Sequence, residues 1–453
     1  MYAFARRSLV AGTALALVAG CHSAPPPPPP PPPAPLSDSA SAALRWVDAH
    51  VVGFGAADSV ATASERSGIL GLTDGARIIG ISELTEGVHE FPLAVRRLLF
   101  TLVDSGVRGL AIQAPMPEAL DVDRYVRTGI GDPRRLLRAL GSWRWETREM
   151  FALVAAMREW DRTHGSDRQL GFYGFEIGTA AHAVAVITSM PDSIAGAPLN
   201  VWLRTQYNCV QENESAHWGL EGRASDSTFW NRCGPMTTVA LDSIEALKQR
   251  TTVPSRANTL AYVERMARLV QHHVAVGLRH MTRHGANAEH VMFVANSLGS
   301  DARLLVWGGD VEMGRLTLDR TTVQTGVPLG DSLKQRFRNI AFAVGDGVVR
   351  ARRPATGPRV GGEPSGLMDV PLRAPTAGMF EDVFSRARSA GFWLDARALP
   401  ADTAGKWLHG PHQMRLITEL YAPEAADAFR TPIELPTNYD AVLFIKHVTA
   451  AKQ

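Results

Sequence analysis

Arg77-Ile-Ile-Gly-Ile-Ser-Glu-Leu-Thr-Glu-Gly-Val-His-Glu90 joins a short apolar run directly to a cluster of ionisable groups. Ile78 to Ile81 has the length and β-branching of a buried strand. Glu83, Glu86, His89 and Glu90 follow at once, and a helical apolar pattern begins at Phe91. In open α/β sheets, ligands bind in the crevice beyond the carboxyl ends of the strands. Titratable groups packed into such a junction therefore point to a reactive crevice. The competing reading is a solvated turn whose carboxylates sit near a helix N-terminus, where the macrodipole favours them.

Outward from this segment, strand-like and helix-like patterns alternate. Ser37 to Phe54 reads as a leading helix with Leu44, Val47 and Val51 along one face. Helical patterns cover Phe91–Leu102, Pro117–Val126 and Thr147–Trp160. Strand patterns fall at Leu110–Ile112, Leu170–Phe175, Leu304–Trp307 and Ile340–Val344, with further apolar runs at Phe392–Leu394 and Val442–Ile445. Helices near Val239–Lys248 and Asn258–His284 interrupt the series as an insertion. The expectation is an α/β domain over residues 37–453, a mainly parallel sheet flanked by helices. Residues 346–375, rich in Gly, Pro and Arg, read as a long loop.

The predicted strands end in polar groups. Gln113 follows the second, Glu176 the third, and Asp310, Glu312 and Arg315 the fourth. Parallel strands would bring these to the edge that carries Glu83 and Glu86. Carboxylates are rarely buried without partners, so a core role for them is a poor fit. A structural hydrogen-bond network is the remaining alternative.

Composition narrows the function classes. A hydrophobic content of 45% and a charged content of 20% describe a globular chain able to build a sizeable core. A net charge of +2 without a long basic run argues against a nucleic-acid binder. Gly71-Leu-Thr-Asp-Gly75 lacks the lysine and spacing of a phosphate loop, and no Gly-x-Ser-x-Gly nucleophile elbow occurs. The pattern calls for no cofactor and no obligatory metal, though Glu83, Glu86, Glu90, Asp310 and Glu312 could supply oxygen ligands to a hard cation.

Met1 to Gly20 has the layout of a secretory signal peptide, with Arg6 and Arg7 ahead of an apolar stretch from Leu9 to Val18. Val18-Ala19-Gly20-Cys21 resembles a bacterial lipobox, with Cys21 as the lipidated residue. The alternative is a plain signal peptide ending in a chance cysteine. Pro25 to Pro33 then forms a semi-rigid tether within residues 21–36. Together these predict an exported lipoprotein of the bacterial cell envelope, periplasmic or outer-membrane facing, whose membrane contact is the lipid anchor. Export would place Cys209 and Cys233 where disulfides persist. Both lie between about Asn200 and Pro235, in a segment that reads as an excursion from the fold. The expectation is a bridge closing that excursion, with two free thiols as the alternative. Neither has metal-ligand spacing with a histidine.

The order of motifs resembles the erythromycin esterase family from about Ser37 to Lys452. Ser82 to Phe91 is similar to the family's Gly-Glu-x-x-His-Gly-x-x-Glu segment. Ala111-Ile112-Gln113-Ala114 with Asp123 to Val126 resembles its second strand and helix, and Trp143 to Glu149 its tryptophan and Arg-Glu stretch. Phe172-Tyr173-Gly174-Phe175-Glu176 resembles Phe-Tyr-Gly-x-Asp. Trp307 to Arg315 resembles Trp-Ala-His-Asn-x-His-x-Gly-Arg, and Asn438-Tyr439-Asp440-Ala441 also fits. The resemblance implies hydrolysis of a small-molecule ester or lactone, in known members the macrolide lactone, with water activated by a histidine and no obligatory metal.

The departures are chemical. The family's first histidine falls on Glu86, its glutamate after the second strand on Gln113, and its late histidines on Gly309 and Glu312. Its third-strand aspartate falls on Glu176, and its asparagine on Asp310. The catalytic candidates are thus Glu83, Glu86, His89, Glu90, Glu176, Asp310, Glu312 and Arg315. In one reading the chain is a hydrolase with Glu86 as general base, its pKa raised by burial and by Glu83 and Glu312, and with Arg315 or Arg96 facing a developing oxyanion. In the other it is a non-catalytic relative that binds a ligand or a divalent cation.

Overall fold

In the computed structural model Arg77–Glu90 runs through a strand at the centre of the sheet and a tight turn into the start of a helix. The structure describes residues 34–216, 227–318, 322–354 and 366–453. The expected signal segment, Cys21 and nearly all of the proline tether lie outside the described residues. One compact unit spans Leu36–Gln453.

Among the described residues nine strands build the main sheet: β1 (Val52–Gly53), β2 (Ile78–Glu83), β3 (Val107–Pro115), β4 (Gly171–Glu176), β5 (Arg303–Gly309), β6 (Phe337–Ala351), β7 (Met368–Pro371), β8 (Gly391–Asp395) and β9 (Ala441–Val448). Their order is β1-β8-β9-β6-β2-β5-β3-β4, with β7 paired to the end of β6. The pairs from β9 through β6, β2, β5 and β3 to β4 are all parallel. Strands β8, β1 and β7 join antiparallel. The sheet is therefore mainly parallel and flanked by helices, as expected, with an antiparallel margin.

Burial explains why the central strands are nearly all apolar. Ile79, Ile81, Ile112 and Trp307 enter one core, while Ile78, Ala111, Leu304 and Val306 enter another on the opposite face. Successive strand residues point to opposite faces, so a sheet covered on both sides needs continuous apolar runs. The leading helix runs Asp38–His50, capped by Ser37, whose side chain accepts from the Ala40 amide at 3.2 Å.

Three expectations are corrected. The stretch from Asn200 to Pro235 is not an irregular excursion: helices Ala197–Ala216 and Ser227–Gln249 take up most of it. Leu203, Tyr207 and Val210 are buried at helical spacing. Cys209 and Cys233 are joined in a disulfide that staples these two helices. Residues 346–375 are not a single loop. The strand β6 continues to Ala351 and pairs antiparallel with β7, Val349 opposite Val370. The helix expected over Asn258–His284 is two, Pro254–Gly277 and Arg283–Ser297. Arg279, with φ near 60°, marks the break.

Candidate functional site

Parallel register places the polar strand ends side by side. Glu83 on β2 stands opposite Gly309 on β5 and Phe342 on β6. Ile112 stands opposite Trp307, and Pro115 opposite Glu176, so Gln113 falls in the same row. The turn after β2 is held from both sides: the Glu86 amide donates to the Ile417 carbonyl at 2.8 Å and the His89 amide to the Thr449 carbonyl at 2.9 Å. Gly87 has φ +77°, and a Cβ there would lie 2.0 Å from the Arg350 carbonyl oxygen, so only glycine lets the turn pass.

Arg144, between Trp143 and Trp145 on a short 3-10 turn, joins the first carboxylates. Its Nη2 donates to Glu83 Oε2 at 2.9 Å, and its Nη1 lies 3.1 Å from Glu86 Oε1. The guanidinium stacks 4.7 Å from the Trp145 ring centroid, and all three charged groups are buried or nearly so. Burial pushes the Glu86 carboxyl up to about 7 against the pull of Arg144, and Glu83, Asp310 and Glu419 add to the rise. Burial also raises Glu83, again opposed by Arg144. Asp310 is raised chiefly by burial, and its backbone sits in the left-handed region at φ 54°.

A second buried network lies alongside. Gln113 bridges strands: its Oε1 accepts from the Gly309 amide at 2.8 Å, and its Nε2 donates to Glu176 Oε2 at 3.2 Å. Glu176 also accepts from Arg283 Nε at 2.7 Å. Asn287 links Glu176 to Glu312, donating to the latter at 3.2 Å. Thr325 Oγ1 also donates to Glu312. His284 Nδ1 stands 3.0 Å from Glu312 Oε2. Burial pulls the His284 imidazole down, but Glu312 outweighs it and the net shift is upward. Burial raises the Glu312 carboxyl, yet His284, Thr325 and Asn287 together hold it below the usual range.

Of the sequence candidates, Glu83, Glu86, Glu176, Asp310 and Glu312 meet at this edge. The other three make different contacts. His89 pairs through Nδ1 with buried Glu149. Glu90 accepts from the Thr449 amide at 3.1 Å and from its hydroxyl at 2.7 Å, holding the end of the chain. Arg315 forms a two-pronged pair with Asp440 at 2.9 and 3.2 Å. Arg96 is exposed on the helix Glu90–Leu102, away from the carboxylates. Sequence reading missed Arg144, Arg283, His284 and Asn287. The first sits inside a quoted motif as an ordinary arginine. The others begin the helix Arg283–Ser297, where Arg and His by themselves resemble a solvated first turn.

The space around Glu83, Arg144 and Trp307 is tight, about 10 Å³, room for one water at most. Chemically, the edge offers a carboxyl poised near neutrality, a fixed guanidinium beside it and a carboxylate-oriented imidazole. Among the described residues no group of three or more His, Cys, Asp and Glu is arranged to hold a metal ion. Glu83, Glu86, Glu176 and Glu312 already face cationic or amide donors.

The erythromycin esterase family model matches residues 103–448, so the β2 turn lies just ahead of the matched region. A crystal structure of a Bacillus cereus protein superposes with a TM-score of 0.77 at 17% identity, covering 91% of this chain and 98% of that one. A succinoglycan biosynthesis protein gives 0.76 at 14% identity, with the same coverage. A mutant of the erythromycin esterase EreC in its open conformation gives 0.56 at 15% identity, covering 85% and 94%. At these identities the likeness is one of fold. No curated protein sequence matches the chain.

Proposed function

The chain belongs to the erythromycin esterase family, a family of esterase-like hydrolases of small molecules, and from that premise we propose that it hydrolyses an ester or lactone with a carboxylate in place of the family's first imidazole. One observation carries the reading: Glu86, at the carboxyl edge of the central strands, has its carboxyl pushed up to about 7 beside a fixed guanidinium. A base works best when its pKa lies near the working pH. Glu86 takes the proton from water as that water attacks the acyl carbon. Arg144, shared with Glu83, faces the oxyanion that develops. The proton then passes to the leaving alkoxide. The tightness of the site requires the 3-10 turn Trp143–Trp145 to shift when substrate enters.

The proposal includes the cellular setting. Cys21 carries the lipid, and the proline run holds the domain off the envelope membrane. The small-molecule substrate then meets the enzyme on the exported side.

The decisive experiment assays the purified protein against chromogenic short-chain esters and macrolides, beside Glu86→Gln and Arg144→Gln. Turnover should fall by about 10²-fold or more in Glu86→Gln, the scale of general-base loss. Equal rates for wild type and Glu86→Gln would sink the assignment.

A further inference from the structure

We propose a second ligand site, separate from the carboxylate edge, that takes a small amphiphilic anion: a carboxylate or phosphate on a short aromatic or aliphatic body. The site is a cavity of about 310 Å³ between the loop Ala57–Ala61, the helix Ala63–Leu72 and the helix Glu90–Leu102. Ligand pockets begin at about this size. The helix Glu90–Leu102 starts at the carboxylate edge and reaches the cavity with Arg96, Phe100 and Thr101, roughly 9–16 Å further along its axis.

The cavity has a built base. Arg97 is only 6% exposed. Its guanidinium binds Glu65 at 2.9 and 3.1 Å and donates to the Ser59 carbonyl at 2.9 Å and to the Ala56 carbonyl. Phe54 stacks 4.4 Å from the same guanidinium. These contacts wrap the loop around a rigid charge and fix the wall. Arg97 Nε is buried and has no hydrogen-bond partner among the described residues.

The rim carries the recognition chemistry. Arg66 and Arg96 both line the cavity and are exposed, and neither has an acidic partner among the described ion pairs. Once Arg97 and Glu65 cancel, these two guanidiniums face only Asp58, which leaves a net positive cavity. Guanidinium forks match carboxylate and phosphate oxygens in pairs. Leu93 and Phe100 supply an apolar wall, and Val60, 87% exposed at the rim, would be covered by the body of such a ligand. A charged head beside a short apolar body fits both features, and neither an inorganic anion nor a neutral apolar molecule uses both.

The test is calorimetric titration of the full chain, in mild detergent, with phenylacetate and phenyl phosphate. Inorganic phosphate supplies the head alone and benzyl alcohol the body alone. The two organic anions should saturate with Kd of about a millimolar or tighter, and both controls should bind at least about tenfold more weakly. Arg66→Gln with Arg96→Gln should weaken the anions by about tenfold or more with melting unchanged, because both side chains are exposed. Val60→Asp, placing a repelling charge at the rim without touching either arginine, should weaken them similarly. Failure to saturate by about 20 mM, undiminished binding in the variants, or equal binding of either control would each overturn the proposal.

Discussion

Gly309 has no room for a side chain. A Cβ there would lie 2.1 Å from Glu86 Oε1 and 2.4 Å from Arg144 Nη1. The Glu86–Arg144 pair thus fills the space beside β5 that a side chain at position 309 would need. Gly309→Ala must push that pair apart, and urea unfolding should show a loss of about 1–3 kcal/mol, the cost of disturbing a buried charged contact. The Glu86 carboxyl, at about 7 when folded and near 4.5 otherwise, binds more protons in the native state between those values. Stability from this group is therefore greatest below about pH 4.5 and declines as pH rises toward 7, by about 1.4 kcal/mol per unit at most. In Glu86→Gln the decline between pH 5 and 7 should flatten. Glu83 and Asp310, also raised, leave a residual slope of the same sign. An unchanged slope in the variant would assign the raised pKa to another group. His284→Ala strands buried Glu312 and should cost about 3 kcal/mol, with partial recovery when Glu312→Gln is added.

At the scale of elements, the helix Arg283–Ser297 delivers three side chains to the edge from its first turns. Its neighbour Pro254–Gly277 is followed two residues on by the left-handed Arg279, and that break lets the next helix start facing β4 and β5. The two helices linked by Cys209 and Cys233 bury Tyr207 and Trp230 in the same core that covers one face of the sheet through Ile78, Leu304 and Val306. The bridge closes a separation of 24 residues, for which the chain-entropy model gives roughly 3 kcal/mol. Cys209→Ser with Cys233→Ser should lower the melting temperature by several degrees while leaving any hydrolysis intact, since the bridge touches none of the edge residues. Loss of hydrolysis at temperatures where the variant stays folded would link this insertion to the site.

Across the whole molecule, the last residues close the turn that carries Glu86. The Thr449 amide and hydroxyl bind Glu90, the Ala451 amide binds the Gly87 carbonyl at 2.9 Å, and the Lys452 amide binds Glu149 at 3.1 Å. Deleting residues 449–453 should expose this turn, speed amide exchange from Leu84 to Glu90 and lower activity more than stability. Unchanged exchange there would show that the Ile417 contact suffices. The strand and helix succession was readable from the sequence because a sheet buried on both faces demands continuous apolar runs, and those runs stand out at Ile78, Leu110, Leu304 and Ile340. The row of carboxylates was readable because parallel strands align their ends. The helices around Asn200–Pro235 were obscured by the polar residues interspersed along their sequence, and β7 by its short length. Arg144 and His284 could not be ranked from sequence, because nothing local separates an arginine on a solvated turn from one held between two buried carboxylates. Sequence by itself determined the sheet, its carboxylate-lined edge and the family, since these follow from periodicity and motif order. Only the tertiary structure decided which cations neutralise that edge, because charge pairing depends on distance and burial across segments as far apart as Glu83 and Arg144, or His284 and Glu312.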